Sequence, residues 1–237
     1  MKSIFTEQDI NTIYWTLVKK NNDYLSKYDH LNAMDILFLE STMNQPQYQW
    51  NVRDFTRVRT VLDFRDWMQL YSPQITTLAY TWRDDPEIPL LRPKKSVHIH
   101  YDPTNHLGDL HLLQIKEEFD FFLFNQTLEH LYDPFLAVRN IWTSLVPGGL
   151  VFTSVPTINI PHSTPFHFNG FTPMGLCMLF MKNGFKVLEL GQWGNYEYIS
   201  KLFLYHAWPG FSHLTSEGIR NEEKNVVNCW ILAQKIV

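Results

Sequence analysis

The stretch that most limits the folds open to this chain is Phe119–Phe124, which reads FDFFLF. Apolar at all but one position, it needs cover on both faces if it forms a strand, and such strands lie inside parallel sheets. The surrounding sequence is punctuated to match. Ile75–Trp82, rich in β-branched and aromatic residues, is expected as a first strand, and Val97–Tyr101 as a second that ends at Asp102. A helical pattern runs from Pro134 to Leu145, after which Val146-Pro147-Gly148-Gly149 turns the chain into a strand at Leu150–Val155. Thr172-Pro173 opens another helix as N-cap and first-turn proline, and Asn183-Gly184 closes it. Lys186–Leu190 and Val226–Ile236 complete the strands. Strands alternating with helices imply an α/β fold, a mostly parallel sheet covered on both sides in a Rossmann-like architecture.

Upstream the texture is helical. Ile10, Ile13, Tyr14, Leu17 and Val18 recur at helical spacing, as do Leu31, Met34, Leu37 and Phe38, with Asn21-Asn22-Asp23 expected to separate the two helices. Residues 1–50 are therefore read as accessory helices and residues 51–237 as one globular unit. Asn51–Tyr71 is expected as an amphipathic helix, with Arg53, Arg57, Asp63 and Asp66 on its charged side, ended by Ser72-Pro73. The 237 residues suffice for one domain, and a net charge of −4 disfavours a broad nucleic-acid face. Cys177 and Cys229 are too few for a disulfide framework or a four-cysteine zinc site and read as buried thiols. The apolar runs are too short for a membrane span and no signal-peptide block opens the chain, so a cytoplasmic protein without membrane contact is expected. Aromatic residues make up 15% of the chain, which suits a pocket that stacks on ring-shaped ligands.

Four segments carry a family resemblance: FDFFLFNQTLEHLYDP from Phe119, LVPGGLVFTSVP from Leu145, FTPMGLCMLFMKNGF from Phe171, and VNCWILAQK from Val227. In this order and spacing the chain resembles the class I S-adenosylmethionine-dependent methyltransferases of the type-11-like group, in particular those of glycan-assembly gene clusters. The resemblance implies a seven-stranded-type sheet, S-adenosylmethionine as methyl donor and S-adenosylhomocysteine as product. It places Asn125, Gln126 and Thr127 against the donor, with Glu129 and His130 near the transferred methyl group; helix capping is the plainer role for Glu129. The glycine-rich loop that normally follows the family's first strand is absent. Val61-Leu62-Asp63-Phe64 imitates that strand but sits in a helical pattern, so Thr81, Trp82 and Asp84 are taken as the donor-side loop. Asp102 would then hold the ribose hydroxyls, and Gly108-Asp109-Leu110 would lie beside the adenine.

The same resemblance makes Pro156–Phe171, with His162, His167, Phe166, Phe168 and Phe171, the cover of an acceptor pocket. A sugar hydroxyl needs a base, and histidine serves near neutral pH. His167, His130 and His162 are the candidates, with His167 favoured because aromatic residues flank it. The expected acceptor is a saccharide hydroxyl or a small molecule, and a homodimer is left open as the assembly. Two other readings stand beside this one. His98, His100, Asp102, His106 and His111 resemble part of a metal-dependent hydrolase pattern, although Pro103 follows the aspartate where a histidine is normal, and none is assigned as a metal ligand. The lost glycine loop would also suit a catalytically silent scaffold.

Overall fold

The computed structural model describes residues 6–25, 29–47, 49–102, 104, 108–162 and 166–236. Six strands form one sheet: β1 (Thr77–Tyr80), β2 (Lys95–His98), β3 (Phe119–Leu123), β4 (Leu145–Pro156), β5 (Phe185–Trp193) and β6 (Asn228–Lys235). Their order is β2-β1-β3-β4-β6-β5. The first four run parallel, whereas β6 is antiparallel to both β4 and β5. The sheet is thus mixed. It has six strands rather than seven among the described residues, with no strand between β2 and β3.

Seven α-helices accompany it: α1 (Glu7–Leu25), α2 (Ala33–Met43), α3 (Phe55–Tyr71), α4 (Ile88–Leu91), α5 (Pro134–Ser144), α6 (Pro173–Lys182) and α7 (Tyr196–Tyr205). The alternation of side chains along β3 explains why helices are needed on both faces. Phe121 and Leu123 pack with Leu39 of α2, Phe64 of α3 and Leu202 of α7. Phe122 and Phe124 point the other way, toward Val138 of α5, Leu176 of α6 and the partly buried Leu17 of α1.

Several expectations need correction. Asn21-Asn22-Asp23 does not break the first helix, because α1 continues to Leu25. β2 begins at Lys95 and ends at His98, short of Tyr101. β4 starts at Leu145, before the glycines; it pairs with Phe119 there and absorbs Gly148, whose φ is +80°, in a register shift. α3 is not amphipathic in place: Arg59, Thr60 and Asp63 are as buried as its apolar residues. Inside the core the Thr60 hydroxyl donates to the Thr56 carbonyl at 2.8 Å, and the Trp230 indole N–H donates to Asp63 Oδ2 at 3.0 Å. α7, unmarked in the sequence reading, is capped by Asn195, whose side chain accepts from the Glu197 N–H, and buries Tyr198 and Leu202. The α6 expectation holds, with Thr172 as N-cap and a left-handed Gly184 just beyond the end.

Candidate active site

Parallel strands present their carboxyl ends along one edge, where loops rather than ladder bonds satisfy the backbone, and ligands of such sheets bind there. In this chain the loops leaving β1, β3 and β4 meet at that edge. They enclose a cavity of about 460 Å³, lined among others by Arg53, Asp54, Arg57, Asp84, Asp85, Gln126, Asn159, His162 and Trp208. That volume lies in the usual range for small-molecule sites.

The β1 loop is held from the helical side. Arg57 of α3 donates to Asp85 Oδ1 (3.2 Å), Glu87 Oε2 (3.0 Å) and Ser154 Oγ (2.9 Å). Asn125 ties the same loop to the sheet: its amide donates to Asp85 Oδ2 at 3.2 Å, and its carbonyl accepts from the Ser154 N–H at 2.9 Å. Burial and the neighbouring Glu87 carboxylate push the Asp85 pKa upward, against the pull of Arg57. Gln126 adopts a left-handed backbone (φ 47°) and donates its side-chain amide to Ser154 Oγ at 3.1 Å. At the junction of the β1 and β3 loops, the Thr81 and Thr127 hydroxyls lie 3.2 Å apart and the Trp82 N–H donates to Thr127 Oγ1 at 3.2 Å.

The donor-side candidates therefore fall into separate places. Asp84 and Gln126 line the cavity, and Asn125 is buried beneath it. Thr81, Trp82 and Thr127 bond to one another beside it. The third group lies in the loop after β2. Asp102 Oδ1 accepts from the Thr104 N–H at 2.9 Å, Gly108 packs against the His100 carbonyl, and Leu110 is in the core. Asp109 Oδ1 lies 2.6 Å from His111 Nδ1 and accepts from the His111 N–H. His98 is engaged by Arg83 and the Thr81 carbonyl, and His111 by Asp109 and Tyr132, so the described members of the hydrolase-like set do not converge. His106 lies outside the described residues.

The three histidine candidates do converge. His130 sits in the 3-10 turn Leu128–His130 after β3, and His162 and His167 lie in the loop after β4. Ring centroids are 4.9 Å apart for His130–His162, 5.0 Å for His162–His167 and 5.9 Å for His130–His167. Backbone bonds hold the two loops together: the Phe168 and Asn169 N–H groups both donate to the Glu129 carbonyl, and Asn169 Nδ2 donates to the Leu131 carbonyl at 2.7 Å. Burial lowers the pKa of His130, and burial together with the neighbouring histidines lowers that of His167, so both rings favour the neutral form. Glu129 is fully buried beside them. Its side chain caps nothing, and burial pushes its carboxyl up to about 8. Sequence reasoning missed Arg53, Asp54, Arg57 and Trp208, none of which belongs to a recognisable motif. Trp208 donates to Asn159 Oδ1 at 2.8 Å and meets the His162 ring edge to face.

The charge pattern fits one end of the implied methyl donor. An α-amino acid zwitterion needs a cation for its carboxylate and anions for its ammonium group, and the cavity offers Arg53 and Arg57 together with Asp84 and Asp85. Residues 90–153 match the family model of a methyltransferase domain. No curated protein sequence matches the chain. Among solved structures, a possible exported protein from Bordetella parapertussis aligns with a TM-score of 0.51 at 16% identity, over 90% of this chain and 82% of that one. The N-methyltransferase NodS from Bradyrhizobium japonicum WM9, in complex with S-adenosyl-L-homocysteine, aligns with a TM-score of 0.50 at 14% identity, over 85% of this chain and 98% of that one. The chain has the fold of the class I S-adenosylmethionine-dependent methyltransferases, and its residues 90–153 are similar to a methyltransferase domain.

Proposed function

We propose that this chain transfers the methyl group of S-adenosylmethionine to a hydroxyl of a small acceptor, with a saccharide as the preferred class. The observation that carries this reading is the convergence of His130, His162 and His167 at the edge of a polar cavity. The donor supplies an electrophilic methyl on a sulfonium with a good leaving group. The protein's part is to hold both reactants in line and to remove the acceptor's proton.

Arg53 would hold the donor's carboxylate and Asp84 its ammonium group, with the Arg57–Asp85 pair fixing the loop behind them. The adenosyl part is assigned to the outer rim, where Trp82 and Tyr101 are exposed, and the ribose hydroxyls to Asp102, whose Oδ1 also accepts from Thr104. His167 is the assigned base: a neutral imidazole among aromatic neighbours accepts a proton from an alcohol as the new bond forms. Asn159, Gln126 and Asp54 offer the hydrogen bonds that a polyhydroxyl acceptor requires, and the Trp208 ring offers a face or edge to its apolar side.

The test has two arms. Calorimetric titration with S-adenosylhomocysteine should give saturable heat, and its absence would favour a silent scaffold. With labelled donor and a panel of simple glycosides, His167→Ala should lower turnover by about 10²–10⁴-fold while donor affinity stays unchanged. Normal turnover in that variant removes His167 from the role of base.

A further inference from the structure

We propose that Glu129, His130 and His162 form a binding site for one divalent transition-metal ion of the zinc type, at the wall of the cavity. This goes beyond the methyl-transfer reading and does not depend on it. One ligand atom from each of the three residues can be chosen so that all lie within 4.8 Å of one another. Ligands around such an ion stand about 2.0–2.2 Å from it, hence about 3.3–3.6 Å apart in a tetrahedron, so closure by at most about 1.5 Å completes the set.

The carboxylate is the strongest argument. Glu129 is 0% exposed, and neither of its oxygens has a hydrogen-bond partner among the described residues. His130 Nε2 lies 3.8 Å from Oε1. A buried acidic group without partners is costly unless something positive completes it. No lysine or arginine forms an ion pair with it among the described residues, and the neighbouring nitrogens belong to imidazoles.

The histidines are oriented as ligands should be. His130 Nδ1 lies 2.7 Å from the Phe166 carbonyl, which can only accept, so Nδ1 carries the proton and the Nε2 lone pair faces Glu129. His162 Nδ1 lies 3.0 Å from the Ile160 carbonyl, which assigns its lone pair to Nε2 by the same logic. A ring nitrogen held by a backbone carbonyl is the usual support behind a metal-bound imidazole. Two imidazoles and a carboxylate select a first-row transition ion over Mg²⁺, which prefers oxygen ligands, and leave a coordination position open. Because His162 also lines the cavity, that position faces the space assigned to the acceptor. His167 stays outside the set, its Nδ1 3.4 Å from His162 Nδ1, and remains available to take a proton.

The full chain, stripped with a chelator and then freed of it, is titrated with Zn²⁺, Co²⁺ and Mg²⁺ without donor or acceptor. One equivalent of Zn²⁺ is expected to bind and raise the melting temperature. Co²⁺ should occupy the same site with a visible absorption band that Zn²⁺ abolishes, and Mg²⁺ should compete with neither. Glu129→Gln and His162→Ala should each weaken binding by at least the ~10–100-fold that loss of a supporting hydrogen bond costs a metal site. His30→Ala, at an exposed histidine outside the cluster, should bind as the parent does. Melting curves of the metal-free variants establish that they are folded, and His162→Ala decides the matter if the buried Glu129→Gln does not fold. The proposal is overturned if the folded parent shows no saturable Zn²⁺ or Co²⁺ binding, if Mg²⁺ binds in preference, or if folded His162→Ala binds undiminished.

Discussion

Arg57 is a single buried cation shared by two carboxylates, Asp85 and Glu87, both of which are inaccessible or nearly so. If both acids ionised, one negative charge would be left uncompensated in a poorly solvated place, so Asp85 tends to keep a proton. Its pKa in the fold is raised above the unfolded value. The native state thus holds a proton that the unfolded chain releases near pH 4, and stability falls as pH rises until the native carboxyl ionises too. The loss is about 1.4 kcal/mol for each pH unit of that window. Thermal melts from pH 5 to pH 8 should therefore decline for the parent and decline less steeply for Asp85→Asn, with the buried Glu129 carboxyl, raised in the same way, carrying the rest; an equal decline in both would show that Asp85 has no part in it. At this scale the site was half legible. The histidines stand in loops that a parallel sheet must bring to one edge, so their residue type and position sufficed. Arg57 finds Asp85 and Glu87 roughly 30 positions along the chain, and no local spacing encodes that pairing.

Whole elements were read best where one kind of cover dictates the pattern. β3 and β6, buried on both faces, show as apolar runs interrupted only by Asp120 in β3 and by the polar ends of β6, and α6 is bracketed by its cap and its terminal glycine. α3 misled because its polar residues look like a solvent face but lie buried in the core, where Thr60 and Asp63 bond to the Thr56 carbonyl and to Trp230. α7 gave no signal because it is short and commits only Tyr198 and Leu202 to the interior. The pairing of β5 with β6 depends on a close approach that only glycine permits. A Cβ at Gly191 would lie 1.9 Å from Trp230 Nε1. Gly191→Ala must push the indole aside and break its bond to Asp63, so a loss of about 1–3 kcal/mol is expected from denaturant unfolding. A midpoint unchanged from the parent would mean that Trp230 has room to move.

Over the whole molecule, the alternation of strand and helix pointed to a parallel sheet with cover on both sides but not to the order of its strands, and the division at residue 50 was not drawn from packing. Leu39 and Met43 of α2 are fully or almost fully buried in the same cluster as α3. A chain beginning at residue 51 loses both, and core truncations of this size cost about 2–5 kcal/mol each. A chain lacking only residues 1–25 keeps them and gives up the ion pair between Lys20 and Glu189 on β5 and the packing of the partly buried Ile13 and Leu17. Melting temperatures of the two truncations should differ accordingly, with the longer deletion far less stable, and equal values would make α2 dispensable. Trp208 and Met43 wall the cavity from segments that belong to no strand, joined by Val52 and Arg53 ahead of α3. The cavity is therefore walled by helices and loops, with no strand residue in its lining, so its shape can drift through substitutions that leave every rung of the sheet ladder in place.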